Sequence, residues 1–195
     1  MPRPTTITVE QILEAARSQF FEFGFGASTA NIAQSAGISE GSIFKRFSTK
    51  AELFQAAMGI PSLPVGQEIF THAGVLDIRD QLKAIALHLI ESLRDIMPRI
   101  MMMWAKPNMN PVDYFQKSDD APPKIVLRAL TSYLKAEKKM GRLQCKDPEI
   151  MARMIMGSIH NFVFFELITA SHRSDEEMES FVDGMLDLLW EGVAA

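Results

Sequence analysis

Apolar residues recur with helical spacing along most of this chain. Between about Thr8 and Phe23 they follow an i, i+3, i+4 pattern, which predicts an amphipathic helix with one buried face. Thr8 is a favourable N-cap for that helix, and Gly24 and Gly26 are expected to end it. The strict alternation of apolar and polar residues that is typical of strands is almost absent. The pattern therefore predicts an all-α protein.

Three shorter helices are predicted after the first. Ser28 can cap a second helix over residues 29–36, and Ser39 can cap a third over residues 40–47. Gly37 stands at the tight turn between them, where a residue with positive φ is most easily accommodated. A fourth helix is predicted to begin near Lys50. The N-terminal region is therefore expected to hold one longer helix and three short ones, joined by tight turns.

A glycine- and proline-containing segment at 59–64 interrupts this pattern and predicts a domain boundary, which divides the chain into 1–59 and 60–195. The second domain is also expected to be helical, with helices over 77–97, 122–140, 148–170 and 175–192. Pro98 is expected to break or kink the first of these, and residues 105–120 are expected to form a loop. Ser174 and Glu177 form a capping-box pattern at the start of the last helix.

The composition is that of an ordinary globular protein. Of the 195 residues, 47% are apolar and 23% are charged, which excludes a disordered chain. The single cysteine, Cys145, cannot form an internal disulfide. The N-terminus lacks the apolar region of a secretory signal, and no run of 18 apolar residues occurs. The expectation is a cytoplasmic protein without a membrane partner.

Charge favours nucleic-acid binding only locally. The net charge is −4, and residues 1–60 contain five basic and five acidic residues. Lys45, Arg46 and Lys50 nevertheless fall within six residues that include no acid. The exposed face of the third helix would also offer Ser39 and Ser42, small polar residues that allow a close approach to base edges, while the cations reach phosphates.

The region around the predicted turn resembles the helix-turn-helix of the TetR family of bacterial transcriptional regulators. The resemblance covers residues 8–58, which is under a third of the chain. The residues that match the family pattern are Gly26, Ser28, Ile32, Ala33, Ala36, Gly37, Ile38, Ser39, Gly41, Phe44, Phe47, Lys50 and Leu53. Two positions depart from it. Phe44 stands where tyrosine is usual, so a hydroxyl that typically reaches a phosphate is missing, and Arg46 stands where histidine or tyrosine is common.

The resemblance implies a DNA-binding site in this region. Ser28 corresponds to a helix cap that touches phosphate, residues 39–46 correspond to the recognition helix, and Lys50 corresponds to a lysine that contacts phosphate. Arg46 can supply the phosphate contact that Phe44 lacks. The predicted DNA-binding residues are Ser28, Thr29, Ser39, Gly41, Ser42, Phe44, Lys45, Arg46 and Lys50.

For the rest of the chain, the resemblance implies a helical effector-binding and dimerisation domain. The last two helices of the family usually pair with those of a second subunit in a four-helix bundle. Both helices predicted here are apolar on more than one face and therefore need a second partner. The predicted dimer interface comprises Ile155, Ile159, Phe162, Phe181, Met185 and Leu189.

The methionine-rich run near Pro98 is a candidate effector pocket, because methionine side chains adapt to varied ligands. The alternative is an ordinary core around a kinked helix. The predicted effector-binding residues are Met97, Met101, Trp104, Tyr114, Phe115, Tyr133, His160 and Asn161. No metal site or cofactor is expected, because the histidines lack carboxylates or cysteines at ligand spacing.

The sequence therefore predicts a ligand-responsive repressor. As a homodimer it would bind a pseudo-palindromic operator in double-stranded DNA, and a small apolar effector would release it. The alternative is a helical protein-interaction module that retains the turn only as a scaffold, which the neutral charge of residues 1–60 favours. An enzyme is not expected, because the sequence lacks a glycine-rich phosphate loop, a nucleophile elbow and metal-ligand spacing.

Overall fold

A computed structural model describes residues 7–59, 73–105 and 122–191. Within these ranges the regular elements are α-helices and one 3-10 turn, Gly24–Gly26, so the predicted all-α class is confirmed. The helices are α1 (Val9–Phe23), α2 (Thr29–Ser35), α3 (Glu40–Phe44), α4 (Lys50–Met58), α5 (Ile78–Trp104), α6 (Pro122–Lys139), α7 (Pro148–Thr169) and α8 (Asp175–Glu191). None of these helices is both long enough and apolar enough to cross a membrane.

The described residues form two compact units, 7–59 with 99–105 and 73–98 with 122–191. The last residues of α5 belong to the first unit, where Met103 is part of the apolar core and Arg99 Nη1 donates to the Gly59 carbonyl at 3.2 Å. They lie beyond the boundary that the sequence suggested at 59/60. The division into domains 1–59 and 60–195 stays a prediction.

The first unit is built from α1 to α4 around a small core. α1 begins with a capping box, in which the Gln11 N–H donates to Thr8 Oγ1 at 3.2 Å and the Thr8 N–H donates to Gln11 Oε1 at 2.9 Å. α1 ends at Gly24, whose φ of 62° favours glycine. The predicted first helix and its cap are therefore confirmed. The core residues include Ile12, Ala16, Phe20, Ile32, Ile43, Leu53, Phe54 and Ala57.

α3 is shorter than predicted, because it ends at Phe44 rather than Phe47. The chain turns after Lys45, yet the Phe47 N–H still donates to the Ile43 carbonyl at 2.9 Å. This turn keeps the Phe47 side chain in the core, where it is 8% exposed. Burial of Phe47 therefore does not require a regular helix.

The second unit packs α5 to α8 around its own core, which includes Leu82, Ile85, Ile90, Leu130, Leu134, Ile155, Ile159, Val182 and Leu186. α6 ends in a Schellman-type turn at Gly141, whose φ is 73°. The predicted capping box of α8 is confirmed, since Ser174 N–H donates to Glu177 Oε2 at 2.9 Å and Glu177 N–H donates to Ser174 Oγ at 3.2 Å.

Pro98 was predicted to break or kink α5, and the break is wrong, whereas the kink stays a prediction. The helix continues from Ile78 to Trp104 with Pro98 inside it. Proline removes one N–H donor from a helix and displaces one carbonyl, which destabilises the helix locally. Buried side chains on both sides of it, Ile96 and Met103, compensate by packing. Of the predicted loop at 105–120, all but residue 105 lies outside the described residues.

Candidate nucleic-acid interface

The turn between α2 and α3 is a Schellman motif centred on Gly37. The Ile38 N–H donates to the Ala33 carbonyl at 2.9 Å and the Gly37 N–H donates to the Gln34 carbonyl at 3.0 Å. Gly37 has a φ of 68°, so the conformation predicted for this glycine is confirmed. The turn satisfies the last carbonyls of α2 and orients α3 against it.

The N-terminus of α3 is small and polar. Ser39 caps the helix by accepting the Ser42 N–H at 3.3 Å, and the two hydroxyl oxygens lie 2.9 Å apart. Gly41 is exposed, and a Cβ at this position would meet nothing within 4 Å. Packing inside this chain therefore does not require glycine at 41. The open space at this helix end leaves room for another molecule to approach the backbone.

The three clustered cations are not paired with acids in the part of the chain that the structure describes. Lys45 and Arg46 are exposed, and Arg46 Nη1 donates to the Ser42 carbonyl at 3.1 Å. The Lys50 ammonium lies 5.1 Å from the centroid of the Phe25 ring. Phe44 precedes Lys45 in the sequence, and its side chain is 42% exposed. Positive charge is thus available just after α3 and at the start of α4.

Three acids of the first unit have partners other than the clustered cations. Glu10 and Glu14 both pair with Arg17 on α1, the former at 2.6 Å. Glu52 Oε2 accepts the Ser48 N–H at 2.7 Å. The zero formal charge of residues 1–60 therefore conceals a separation of charge. The basic cluster between the end of α3 and the start of α4 is not paired with Glu10 or Glu14 of α1.

Two predicted DNA contacts on α2 have different environments. Ser28 is the N-cap residue of α2 and exposed, but its side chain makes no cap hydrogen bond. The Thr29 hydroxyl instead donates to the Glu40 carboxylate at the start of α3. Sequence reasoning missed this link and the contact between Phe25 and Lys50, because each joins residues from separate elements.

The predicted effector residues that the structure describes are divided between the two units. Met101 and Trp104 belong to the first unit and are 36% and 60% exposed. In the second unit Met97 is half-buried and Asn161 is exposed. Tyr114 and Phe115 lie outside the described residues.

The other two predicted effector residues are engaged within the second unit. His160 is half-buried, with Nδ1 2.7 Å from the Met156 carbonyl oxygen in its own helix. Tyr133 is 2% exposed. Burial, followed by the charge of nearby Glu137, raises the pKa of its phenol to about 12. The assignment of an effector site to these residues stays a prediction.

A cleft of about 390 Å³ lies elsewhere in the second unit, with Arg94, Pro98, Val163, Glu166, Leu167, Ala170 and His172 as its lining. Arg94 Nε and Nη2 donate to the two Glu166 carboxylate oxygens at 2.9 and 2.8 Å. The hydrogen bond from Arg94 is the largest cause that lowers the pKa of Glu166. Sequence reasoning missed this site, although an acid in the otherwise apolar run of 162–168 indicated a buried charge with a partner.

The predicted dimer-interface residues lie in or against the core of the protomer itself. Ile155, Ile159, Phe162 and Met185 are at most 9% exposed, and Phe181 and Leu189 are partly buried. These side chains pack within the protomer, and their assignment to a dimer interface stays a prediction. The opposite face of α7 is exposed and also apolar, with Ile150, Met154, Phe165 and Ile168 each more than half exposed. α7 has two apolar faces, and tertiary packing uses the one that was assigned to the dimer.

Comparison with known proteins agrees with this architecture. A family model described as bacterial regulatory proteins of the tetR family matches residues 12–57. A second, described as the C-terminal domain of AefR-like transcriptional repressors, matches residues 80–191, which is more than half of the chain.

Solved structures share the fold along nearly the whole chain. A putative TetR-family regulator from Mesorhizobium loti is 21% identical with a TM-score of 0.70, covering 93% of this chain and 94% of that one. FadR from Bacillus subtilis, in complex with stearoyl-CoA, is 19% identical with a TM-score of 0.67 and coverage of 96% and 100%. SmeT, the repressor of a Stenotrophomonas maltophilia multidrug efflux pump, is 21% identical with a TM-score of 0.65 and coverage of 97% and 91%.

At these identities the structures establish the fold alone, whereas the family models cover the turn, the basic cluster and the C-terminal helices. The chain belongs to the TetR family, and it is a transcriptional regulator with a DNA-binding helix-turn-helix rather than an enzyme.

Proposed function

We propose that this protein is a homodimeric repressor that binds a pseudo-palindromic operator and is released by a small molecule. The observation that carries the proposal is the separation of charge in the first unit, where Lys45, Arg46 and Lys50 are unpaired with described acids while Glu10 and Glu14 pair with Arg17. The AefR-like repressor model supports repression as the outcome.

In this proposal α3 enters the major groove. Ser39 and Ser42 reach base edges from the N-terminus of the helix, and Gly41 lets the backbone approach closely. The Ser28 hydroxyl and the three cations bind phosphates on either side. In a dimer, two such helices would bind half-sites about 34 Å apart.

Selection of operators from a random duplex pool by the full-length protein tests DNA binding. The selected sequence should be a palindrome, and Lys50→Ala should weaken binding to selected and unselected duplexes by the same factor. Lys135→Ala is the matched control, since Lys135 is an exposed lysine of the second unit. The alternative of a protein-interaction module predicts equal DNA binding by the wild type and a Lys45→Ala/Arg46→Ala variant.

The proposed dimer face is the exposed stripe of α7 with the exposed face of α8. Ile150, Met154, Phe165 and Ile168 lie at helical spacing on α7, and Leu188 on α8 is 61% exposed. Gly157 and Gly184 are both exposed with open space around their Cα atoms, so two helices could approach closely there. Such a two-helix apolar face requires a partner of the same kind.

Sedimentation equilibrium tests this face. Met154→Asp should convert the dimer to a monomer and abolish operator binding, because a charge would be buried in an apolar contact. Ser132→Asp introduces the same charge at an exposed position on α6 and should leave the dimer intact. A Met154→Asp variant that remains dimeric would place the interface elsewhere.

We propose the cleft beside the Arg94–Glu166 pair as the effector site. Its volume lies in the range of small-molecule pockets, and Pro98, Val163 and Leu167 give it apolar walls. SmeT has been solved with triclosan and FadR with stearoyl-CoA, so these two compounds are suitable probes. A compound that releases DNA from the wild type should not release it from Leu167→Trp, in which the larger side chain fills the cleft. The same compound should still release DNA from Val75→Trp, which alters an exposed position in the same unit.

A further inference from the structure

Phe25 lies between two glycines in the 3-10 turn that follows α1. Its ring is half-buried against the first core, stacked on Phe20 at a centroid distance of 6.4 Å and edge-on to Phe54 at 5.3 Å. Phe20 and Phe54 are themselves fully buried. Contacts with two immobile rings hold the Phe25 ring in one orientation.

The Phe25 ring also contacts Lys50, the first residue of α4. The Lys50 Nζ lies 5.1 Å from the centroid of the ring, within the range of a cation–π interaction. Glu52 follows two residues later, but its carboxylate accepts the Ser48 N–H at 2.7 Å. Among the described residues, the partner of the Lys50 ammonium is therefore an aromatic face and not a carboxylate.

We propose that Phe25 is a positioning residue for DNA binding, which holds the Lys50 ammonium in place for a backbone phosphate. This rests on the proposed function, in which Lys50 contacts phosphate. A carboxylate would also position a lysine, but it would cancel the charge that attracts DNA. An aromatic face restrains the ammonium while leaving its full charge and its N–H donors available.

A purely structural role for Phe25 predicts something different. If the ring only fills the first core, its loss disturbs the whole helix-turn-helix, and the effect on DNA binding does not depend on Lys50. If the ring positions Lys50, its contribution to DNA binding disappears once the ammonium is absent. A double-mutant cycle separates the two roles.

The experiment uses the full-length protein and two duplexes of about 30 base pairs, one selected by the wild type from a random pool and one unselected, since that length spans two half-sites. Phe25→Leu should weaken binding to both duplexes by about three- to tenfold. Lys50→Ala should also weaken both, and the combined Phe25→Leu/Lys50→Ala variant should bind as Lys50→Ala does. Phe25→Tyr, which keeps the aromatic face, should bind as the wild type does.

Fluorinated phenylalanines at position 25 test the same point without altering the shape of the core. Increasing fluorination removes the negative potential of the ring, so affinity should fall stepwise in the Lys50 background and stay constant with Lys50→Ala. Equal losses in both backgrounds, or no loss on fluorination, would overturn the proposal. A selection that yields no duplex bound by the wild type would instead overturn the proposed function. A Lys50→Ala variant that binds both duplexes as the wild type does would show that Lys50 contacts no phosphate, and would overturn this proposal.

Discussion

The two units of this protein use positive charge in opposite ways. In the second unit, Arg79 donates to Asp187 at 2.6 Å, Lys83 to Asp183 at 2.8 Å, and Arg94 to both oxygens of Glu166. Each of these cations comes from α5, and each acid comes from α7 or α8. In the first unit, Arg46, just after α3, donates to a backbone carbonyl, and Lys50, at the start of α4, lies against an aromatic ring. The cations that join helices are paired with acids, whereas the charge of those expected to bind DNA is not neutralised by a described acid.

The comparison predicts that the largest effect on stability comes from the Arg94–Glu166 pair. Both side chains are mostly buried, at 16% and 6% exposed. Arg94→Leu should leave the Glu166 carboxylate buried without its partner and lower the free energy of unfolding by about 3–5 kcal/mol. Urea denaturation measures this. Arg153→Ala, which breaks an exposed pair with Glu149 on α7, is the control and should cost less than about 1 kcal/mol.

The same pair predicts a pH dependence in acid. The pKa of Glu166 is lowered from its ordinary 4.5, chiefly by the Arg94 hydrogen bond. A carboxyl group with a lower pKa in the folded state stabilises the fold above its unfolded pKa, and this contribution is lost as the pH falls through the folded value. Thermal melts should therefore show stability declining below about pH 4.5 in the wild type, with a smaller decline in Glu166→Gln.

Lys45 and Lys83 provide a matched pair for the comparison. Lys45→Ala should lower DNA affinity about tenfold on all sequences and reduce the salt dependence of binding, without changing the melting temperature. Lys83→Ala removes contacts to Asp183 and Glu179, so it should lower the melting temperature slightly and leave DNA binding unchanged. Equal effects of the two variants on DNA affinity would contradict the assignment of the charges.

Gly41→Ala should separate stability from function within the first unit. Alanine is favoured over glycine inside a helix by about 0.5–1 kcal/mol, and a Cβ at this position meets nothing in the chain. The variant should therefore melt slightly higher. It should also bind the operator less tightly, because the added methyl group would lie where α3 approaches the bases. An unchanged affinity would mean that residue 41 does not face DNA.

The smallest expected effect concerns Glu40. This acid accepts a hydrogen bond from Thr29 and lies just before Lys45 and Arg46, the cations offered to DNA. Glu40→Gln keeps an acceptor for Thr29 and removes one negative charge. Affinity for unselected duplexes should rise about two- to threefold at low salt, because repulsion from phosphates is reduced. Fluorescence anisotropy at two salt concentrations would detect this rise, which should shrink as salt increases.

The sequence predictions are most accurate where a feature depends on residues that are close together in the chain. Thr8, Gly37 and Ser174 cap or turn the chain through bonds to residues at most five positions away, and the structure has each of these bonds. The fourth helix begins at Lys50 as expected for the same reason. Pro98 shows the limit of local signals, since packing on both sides carries α5 through a residue that disfavours helix.

The sequence by itself determined that the protein is all-α, that a capped turn precedes a short helix of small polar residues, and that a basic cluster follows. These features depend on neighbours within one or two helical turns. Only the tertiary structure decided which apolar face of α7 is buried, which acids neutralise which cations, and that Phe25 contacts Lys50. Each of these choices joins residues from separate elements, and the pattern along one helix is the same whichever partner its faces meet.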